Sequence, residues 1–538
     1  KPLVNWKNQK GQPTRLVSYT EAGGTPTALK AYITDQYNSE EGLVFVLLIG
    51  DSQHIMPLNK SGDSDAAYGH IVGTDSYAEA FIGRFSAETV KHVEDQVAKI
   101  ITYERDLTSS DIWLKTGMGI ASNEGSNPSD IQHMNSLRDK LLGYTYDNVH
   151  QVHQPTGTAA NVVTNLNNGV GIINYIGHGS LTTWVTTGFG LNHMSSLTNT
   201  NKHPFVVSVA CVNGDFVNKT CFAEGFMRSS ASEGPTGAIG VFAATINQSW
   251  VPPMTGQREM VDILTESYAD NIKRTYGGIA VNGCMKMNDV HGSGGYSMTN
   301  TWVIFGDPSL VVRTDTPSEM ILSHNPTLFL GTSSFSVSSD TEGALVAISY
   351  VNSEGETKLL GTAVVEDGSA TVSFDEPIVN PLELTVTATS YNKVTYTGEV
   401  SAVPADEPYV ILKSFQTATN PDYGTIVSLD VILENISEIP YTASSVSATL
   451  TSDNPYVTIT DGNVDAGIIN PDQEVELDGA FSFSIHNNVP NQTSLEFTIA
   501  IEGQYNSEVY YWNQNFIVKA NAPVLEYGTL TIDDTNGG

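Results

Sequence analysis

The stretch "FVVSVACVNGDFVNKTCFAEGFM", residues 205–227, carries the strongest fold signal in the chain. It opens with a run of β-branched apolar residues that stops abruptly at Cys211. A short continuous apolar run is typical of a strand that is buried on both faces of a parallel sheet. Cys211 is therefore either a small packing residue at the end of a buried strand or a nucleophile held at its edge.

Similar apolar runs recur through the first 315 residues, with helical patterns between them. After Ser86, a favourable N-cap, apolar residues recur at helical spacing from Val90 to Ile100. Shorter strands are predicted at 67–73 and 78–85. Strands that alternate with helices indicate an α/β domain, a mainly parallel sheet covered on both faces. The other buried strands are predicted within 42–51, 115–122, 169–177 and 236–244.

The pattern divides the chain into four parts. Two α/β subdomains are predicted, at residues 1–110 and 111–315. The second contains the candidate reactive residues Cys211 and His178. After that, short alternating strands replace helices, and residues 316–403 have the size of an immunoglobulin-like β-sandwich. A linker around 404–408 precedes a second, acidic β-sandwich at 409–538, whose last residues are predicted to be a frayed end or linker.

Charge and composition exclude several classes of function. The 538 residues include 59 Asp and Glu against 25 Lys and Arg, a formal net charge of −34. Nucleic acid is disfavoured as a partner, because phosphates require basic surface. No apolar run reaches the about 18 residues of a membrane-spanning helix. No signal peptide opens the chain at Lys1, which predicts a processed form.

Metal sites are not placed by the sequence. The acidic composition leaves structural Ca²⁺ binding open, but there is no EF-hand loop, so the metal ligands stay unknown. The three cysteines, Cys211, Cys221 and Cys284, form neither a disulfide framework nor a zinc motif. Cys221 and Cys284 are interpreted as core residues.

Two apolar runs end in residues that could react. One run leads into His178 and Gly179, and the other into Cys211. Reacting groups in an open parallel sheet lie at the carboxyl edge of the strands, so neighbouring strands would bring these residues to one cleft. A nearby imidazole makes a thiolate available near neutral pH. The backbone amides of Gly179 and Cys211 could bind an oxyanion, although an ordinary turn glycine is the alternative for Gly179.

A third group should orient the imidazole. Glu124 follows the strand within 115–122 and could reach the same edge. Asp130 lies six residues further on, where an acidic residue often stabilises the start of a helix instead.

The amino-acid sequence of several segments resembles the gingipain family, peptidase family C25, which belongs to the caspase-like cysteine peptidases. "HG" and "AC", each after an apolar block, are typical of the wider group. The resemblance covers about residues 40–400 and implies an extracellular endopeptidase with a caspase-like domain followed by an immunoglobulin-like domain. The segments that carry it are "VFVLLIGDSQHIMP", "YGHIVGTDSYAEAFIGRFS", "SDIQHMN", "NYIGHGSLTTW", "VACVNGDF", "CFAEGFMR", "ATINQSWVPPMTGQ" and "TWVIFGDPSLVVRT".

The resemblance also implies roles for individual residues. His178 and Cys211 match the catalytic pair, and Glu124 matches the acidic residue that orients the histidine. Asp130 matches the carboxylate at the floor of the arginine pocket, where it can pair with a guanidinium. The pocket walls are matched by Gln248, Trp250 and Met254.

One pocket position departs from the family pattern. Ile176 stands where the arginine-specific relatives carry threonine, which removes a hydroxyl and adds bulk beside the pocket. Cleavage after arginine is favoured over cleavage after lysine, but this position leaves lysine open.

The resemblance implies protein or peptide substrates and no catalytic cofactor. It further implies structural Ca²⁺, an inhibitory pro-segment and export to the medium or cell surface of a Gram-negative bacterium. Two alternatives remain: a transpeptidase or sortase-type processing enzyme on the same scaffold, and a catalytically silent surface adhesin.

Overall fold

The structure, a computed structural model, describes residues 1–39, 42–125, 127–403 and 407–523. They form two compact units. The first comprises Thr14–Glu319 together with Lys1–Trp6 and Tyr391–Thr395, and the second comprises Met320–Ser390, Lys7–Pro13 and the chain from Tyr396 onward. The linker expected at 404–408 is only partly described, and the expected frayed end within 524–538 lies outside the described residues.

One eight-stranded sheet forms the centre of the first unit. Its strand order is β1-β2-β8-β7-β6-β5-β3-β4. Neighbours run parallel except β7 and β8, which pair antiparallel. The strands are β1 (Phe45–Ile49), β2 (Phe81–Phe85), β3 (Thr116–Ala121), β4 (Asn148–His153), β5 (Ile172–Ile176), β6 (Phe205–Val209), β7 (Gly240–Ala244) and β8 (Trp302–Gly306).

Helices cover both faces of this sheet, which confirms the predicted α/β class. The helices are α1 (Pro2–Gln9), α2 (Pro26–Tyr37), α3 (Val90–Arg105), α4 (Asp130–Leu142), α5 (Ala159–Asn168), α6 (Phe222–Arg228), α7 (Val251–Leu264), α8 (Tyr276–His291) and α9 (Ser293–Thr301). Short 3-10 helices lie at Ala66–Tyr68, Ile112–Lys115 and Leu191–Ser196. Within the described part of the chain, no helix combines the length and the apolar character needed to cross a membrane.

The alternation of side chains in the central strands explains the two covered faces. In β6, Val207 and Val209 lie in one buried cluster with residues of α4, α7 and α8. Val206 faces the opposite cluster, with residues of α5 and α6. A strand buried on both faces has no polar side to alternate with, so its sequence is continuously apolar.

Three observations concern the sequence-based expectations for residues 1–110. Strands from both sides of the predicted boundary at 110 and 111 share the sheet, because β2 pairs with β8. The strand predicted at 67–73 is wrong: a 3-10 helix, Ala66–Tyr68, occupies its start. The N-cap of α3 is Thr89, whose hydroxyl accepts from His92 N–H, and not Ser86.

The second unit contains the two predicted β-sandwiches. The first pairs a three-stranded sheet with a five-stranded sheet, and the second pairs two four-stranded sheets. Each has its own buried apolar cluster. The strands of the first are Leu322–His324, Thr327–Phe329, Ser334–Ser339, Leu345–Val351, Thr357–Val364, Ser369–Ser373, Leu382–Thr389 and Tyr396–Val403. Those of the second are Val410–Thr417, Ile426–Asn435, Ala443–Thr451, Val457–Asp461, Asn463–Ile469, Gln473–Ile485, Ser494–Tyr505 and Glu508–Lys519.

Candidate active site

His178 and Cys211 lie at the same edge of the central sheet. Strands β5 and β6 are parallel neighbours, and Ile176 pairs in register with Val209. Each reactive residue follows its strand by two positions, so both emerge at the carboxyl edge. The expectation that the two apolar runs form adjacent strands is confirmed.

The thiol of Cys211 is partly exposed and lies at a sharp turn. Its Sγ accepts a hydrogen bond from the Gln248 backbone N–H at 3.4 Å. Val212, the next residue, has a φ of 49°, a left-handed conformation that a β-branched side chain rarely adopts. The Val212 N–H donates to the Ile246 carbonyl at 3.1 Å. The chain thus leaves the strand abruptly and presents the thiol at the sheet edge.

Glu124 contacts the imidazole of His178, as the sequence predicted. Nε2 of His178 lies 3.2 and 3.1 Å from the two carboxylate oxygens. The side chains are 54% and 47% exposed, so this contact contributes little to stability. The turn that carries Glu124 is fixed by Asp130, whose N–H donates to the Glu124 carbonyl at 3.0 Å.

Gly179 packs directly against the backbone of Cys211. A Cβ at position 179 would lie 2.3 Å from the Cys211 carbonyl oxygen and 2.9 Å from its nitrogen. No side chain fits at that distance, so the two strand-end loops approach closely only because residue 179 is glycine. The two amides proposed for oxyanion binding therefore belong to backbones in contact.

The pocket beside Cys211 encloses about 260 Å³ of empty space, part of it open to solvent. It contains three of the predicted substrate-binding residues, Ile176, Gln248 and Trp250. The amide oxygen and nitrogen of the Gln248 side chain are buried, without a hydrogen-bond partner among the described residues. The pocket is lined by Ile176, Gly177, Val209, Ala210, Cys211, Gln248, Ser249 and Trp250.

Asp130 and Met254 are not part of that lining. The Asp130 side chain is fully buried, where Oδ2 accepts from Ser122 Oγ and Oδ1 accepts from Trp250 Nε1 at 2.8 Å. Burial raises the pKa of the Asp130 carboxyl, against the opposing effect of these two hydrogen bonds. Met254 belongs to the apolar core of the sheet, with 5% of its surface exposed. Trp250 thus lines the pocket and contacts Asp130 at the same time.

The start of α4 explains why the sequence could not distinguish a pocket carboxylate at Asp130 from a residue that stabilises the helix terminus. It is the first residue of α4, but the N-cap is Ser129, which forms a capping box with Gln132. Because another residue caps the helix, the Asp130 side chain is available for Ser122 and Trp250.

Cys221 and Cys284 are buried, as predicted. Burial raises the pKa of Cys284 to about 12 and the pKa of Cys221 well above its usual value. Neither thiol ionises near neutral pH, which leaves Cys211 as the nucleophile candidate.

Metal ligands were not predicted from the sequence, and the structure adds none. In the described ranges, no three or more His, Cys, Asp or Glu side chains cluster closely enough to hold an ion. Structural calcium stays a prediction.

Sequence reasoning missed Tyr175 and Asn213. The Tyr175 hydroxyl donates to the His178 carbonyl at 2.6 Å and so fixes the backbone of the histidine. Asn213 is fully buried next to the Cys211 turn. The signal available in the sequence was the Asn-Gly pair at 213–214, which marks a turn but not its partners.

Comparison with known proteins identifies the family to which the chain is similar. The model of peptidase family C25 matches residues 1–313, and the model of its C-terminal immunoglobulin-like domain matches residues 324–402. The chain is 40% identical to gingipain R2 of Porphyromonas gingivalis over 78% of this chain. It is 25% identical to Lys-gingipain HG66 of the same organism over 76% of this chain.

The chain spans 59% of the length of that gingipain R2 and 25% of that Lys-gingipain. A crystal structure of the Arg specific cysteine proteinase gingipain R superimposes with a TM-score of 0.72 at 40% identity. That match covers 75% of this chain and 94% of the solved one. The resemblance found in the sequence is thereby confirmed, and the chain belongs to the gingipain family, peptidase family C25.

Proposed function

We propose that the chain is a cysteine endopeptidase that cleaves after a basic residue, arginine in preference to lysine. The observation that carries this proposal is the placement of Cys211 and the Glu124-bound His178 on adjacent strand ends, next to an open pocket. The activity and substrates of the relatives are properties of longer proteins, so they support the proposal by analogy.

The chemistry follows from the positions of the groups. The Cys211 thiolate attacks the scissile carbonyl carbon, and the negative charge that forms on oxygen is bound by the amides of Gly179 and Cys211. His178, protonated by the thiol, gives its proton to the leaving amine as the carbon–nitrogen bond breaks. A thioester remains on Cys211. Water then attacks it with His178 as the base, which releases the carboxylic acid and restores the thiol.

Glu124 orients the ring for both steps. A proton on Nε2 is donated to the carboxylate, and this leaves Nδ1 to exchange protons with Cys211 and the substrate. The hydrogen bond also stabilises the imidazolium that forms between thiol ionisation and departure of the amine.

Selection of a basic side chain requires a rearrangement at Trp250. The indole of Trp250 lines the pocket, and both oxygens of Asp130 are engaged, one of them by this indole. A guanidinium can form two parallel hydrogen bonds to a carboxylate, so it can replace the single indole N–H. The match to gingipain R at 40% identity, against 25% for the Lys-gingipain, favours arginine.

Secretion and an inhibitory pro-segment belong to the same proposal. A solved complex of pro- and mature domains from Porphyromonas gingivalis has a TM-score of 0.71 and 41% identity to this chain. A pro-segment that covers the Cys211 pocket would keep the peptidase inactive until export to the surface or medium.

Product analysis with an added amine distinguishes the proposed hydrolase from the alternatives. A peptide with arginine at the cleavage position is incubated with the protein, with and without glycylglycine. Free carboxylic acid as the main product in both cases supports the endopeptidase. An amide to glycylglycine as the main product would indicate a transpeptidase, and no turnover under either condition would indicate a binding protein.

A further inference from the structure

The turn after Cys211 is strained and must be held by its surroundings. Val212 adopts a φ of 49°, and such a conformation persists only where neighbouring contacts over-determine it. The hydrogen bond from Val212 N–H to the Ile246 carbonyl fixes one side of the turn. The other side is fixed by the next residue, Asn213, which is fully buried.

Asn213 joins the cysteine turn to the loop that follows His178. Its Nδ2 donates to the Ser180 carbonyl at 2.6 Å and to the Thr183 carbonyl at 3.3 Å. Ser180 and Thr183 are paired across the hairpin that starts at Gly179. One side-chain amide therefore spans the two loops that carry the nucleophile and the histidine.

A buried chain of hydrogen bonds sets the orientation of that amide. Trp184 Nε1 donates to Ser208 Oγ at 2.9 Å, and Ser208 Oγ donates to Asn213 Oδ1 at 3.0 Å. The indole N–H can only donate, so the donor and the acceptor of each hydrogen bond in this series are determined. With its oxygen on Ser208, Asn213 must present its two N–H bonds to the hairpin carbonyls.

We infer that Asn213 is a positioning residue for the oxyanion site: it holds the amides of Gly179 and Cys211 in a single relative geometry. The backbones of these residues are already in contact, as the 2.3 Å distance from a hypothetical Gly179 Cβ to the Cys211 carbonyl shows. Release of the hairpin would separate the two donors, whereas the hydrogen bonds of the Asn213 side chain go to Ser208, Ser180 and Thr183 and not to the thiol or the imidazole. This inference rests on the proposed peptidase function.

The inference predicts a selective loss. The negative charge on oxygen exists only in the tetrahedral states of acyl transfer, so a displaced donor lowers kcat more than it changes KM. Alkylation of Cys211 by iodoacetamide displaces iodide at a CH₂ carbon and forms no oxyanion. Its maximal rate, measured at a pH where the thiol is ionised, should therefore be independent of Asn213.

The variant Asn213→Asp tests this with minimal change of shape. The acceptor oxygen for Ser208 is retained, while both donors to the Ser180 and Thr183 carbonyls are lost. A matched control exists in Asn199→Asp. Asn199 is also buried, donates to the carbonyls of Lys202 and Gly237 at 2.8 and 2.9 Å, and lies before β6, at the opposite edge of the sheet.

Wild type and both variants are compared at a temperature where all three are folded. The substrate is the peptide that the wild type cleaves best, chosen from a panel that varies only at the cleavage position. We expect Asn213→Asp to lose roughly 10- to 100-fold in kcat, with KM and the maximal alkylation rate of the ionised Cys211 thiol unchanged. Asn199→Asp should lower Tm by a similar amount and keep the wild-type kcat.

Three results would overturn the inference: a wild-type kcat in Asn213→Asp, a parallel loss of alkylation and turnover, or an equal loss of kcat in Asn199→Asp. If Asn213→Asp does not fold, Ser208→Ala replaces it and must show the same split between kcat and alkylation, or the inference fails. A wild-type protein that is alkylated but cleaves no peptide would instead contradict the proposed function itself, and the inference with it.

Discussion

The indole Nε1–H of Trp250 donates a hydrogen bond to Asp130 Oδ1 over 2.8 Å. Asp130 is fully buried and its other oxygen accepts from Ser122. The carboxylate proposed to select a basic side chain is thus occupied before substrate arrives. A guanidinium must take the place of the indole N–H, so Trp250 acts both as a pocket wall and as a competitor for Asp130.

Removal of the indole N–H should therefore improve binding of an arginine peptide. Trp250→Phe keeps an aromatic wall but leaves Asp130 Oδ1 without this donor, so we expect KM to fall by about 2- to 10-fold, the value of one net hydrogen bond. Steady-state kinetics with an arginine peptide measure it. Trp6→Phe is the control, because it removes an indole bond to the Glu104 carboxylate, 2.9 Å long, outside the pocket. An unchanged or higher KM in Trp250→Phe would contradict the competition.

Binding of basic peptides should weaken in mild acid. Burial raises the pKa of Asp130, so the carboxylate becomes protonated at a higher pH than an exposed Asp, whose pKa is 3.8. Since the guanidinium pairs with the ionised form, KM for an arginine peptide should rise as the pH falls through this raised pKa. Asp130→Asn should raise KM by roughly 30- to 1,000-fold and abolish that pH dependence. A KM of Asp130→Asn equal to the wild-type value would remove Asp130 from the pocket.

Loss of the Glu124 carboxylate should lower kcat and leave the fold intact. Glu124→Gln weakens the orientation of His178, and we expect a decrease in kcat of roughly 10- to 100-fold, moderate because both side chains are half exposed. Glu88→Gln is a matched control, since Glu88 is 47% exposed and pairs with Arg228. Equal activity of the two variants would show that Glu124 does not orient the histidine.

Ile176 should set the preference between arginine and lysine. It is 1% exposed in the core and lines the pocket. Ile176→Thr removes bulk and adds a hydroxyl, so we expect kcat/KM for arginine over lysine to rise by about 10-fold, with a stability loss of about 1–3 kcal/mol from the buried hydroxyl. Peptide pairs that differ only at the cleaved residue measure the ratio, and thermal unfolding measures the stability. An unchanged ratio would exclude Ile176 as a determinant.

Much of the fold and the reactive pair could be predicted because the information is local. Continuous apolar runs identify buried parallel strands, and the residues just beyond two of them, His178 and Cys211, must share an edge if the strands are neighbours. The β5–β6 pairing supplies that condition.

Features that depend on contacts distant in sequence could not be predicted. The run at 67–73 looks like a strand, but Tyr68 is buried with its hydroxyl donating to the Met56 carbonyl. Lys30 binds the carbonyls of Tyr68 and His70. The cap at Ser86 failed for a similar reason, because its hydroxyl donates to Glu224. Likewise, the sequence near Asp130 does not predict its hydrogen bond with Trp250, which lies 120 residues away in the sequence.

The most direct test of the central claim is cleavage of five peptides that differ only at the cleaved position, Arg, Lys, Gln, Ala or Leu, by wild type and Cys211→Ala. We predict cleavage after Arg, weaker cleavage after Lys, and no turnover of any peptide by a folded Cys211→Ala variant. Full activity of Cys211→Ala would contradict the thiol mechanism. Wild-type cleavage confined to the uncharged residues would contradict the role of Asp130.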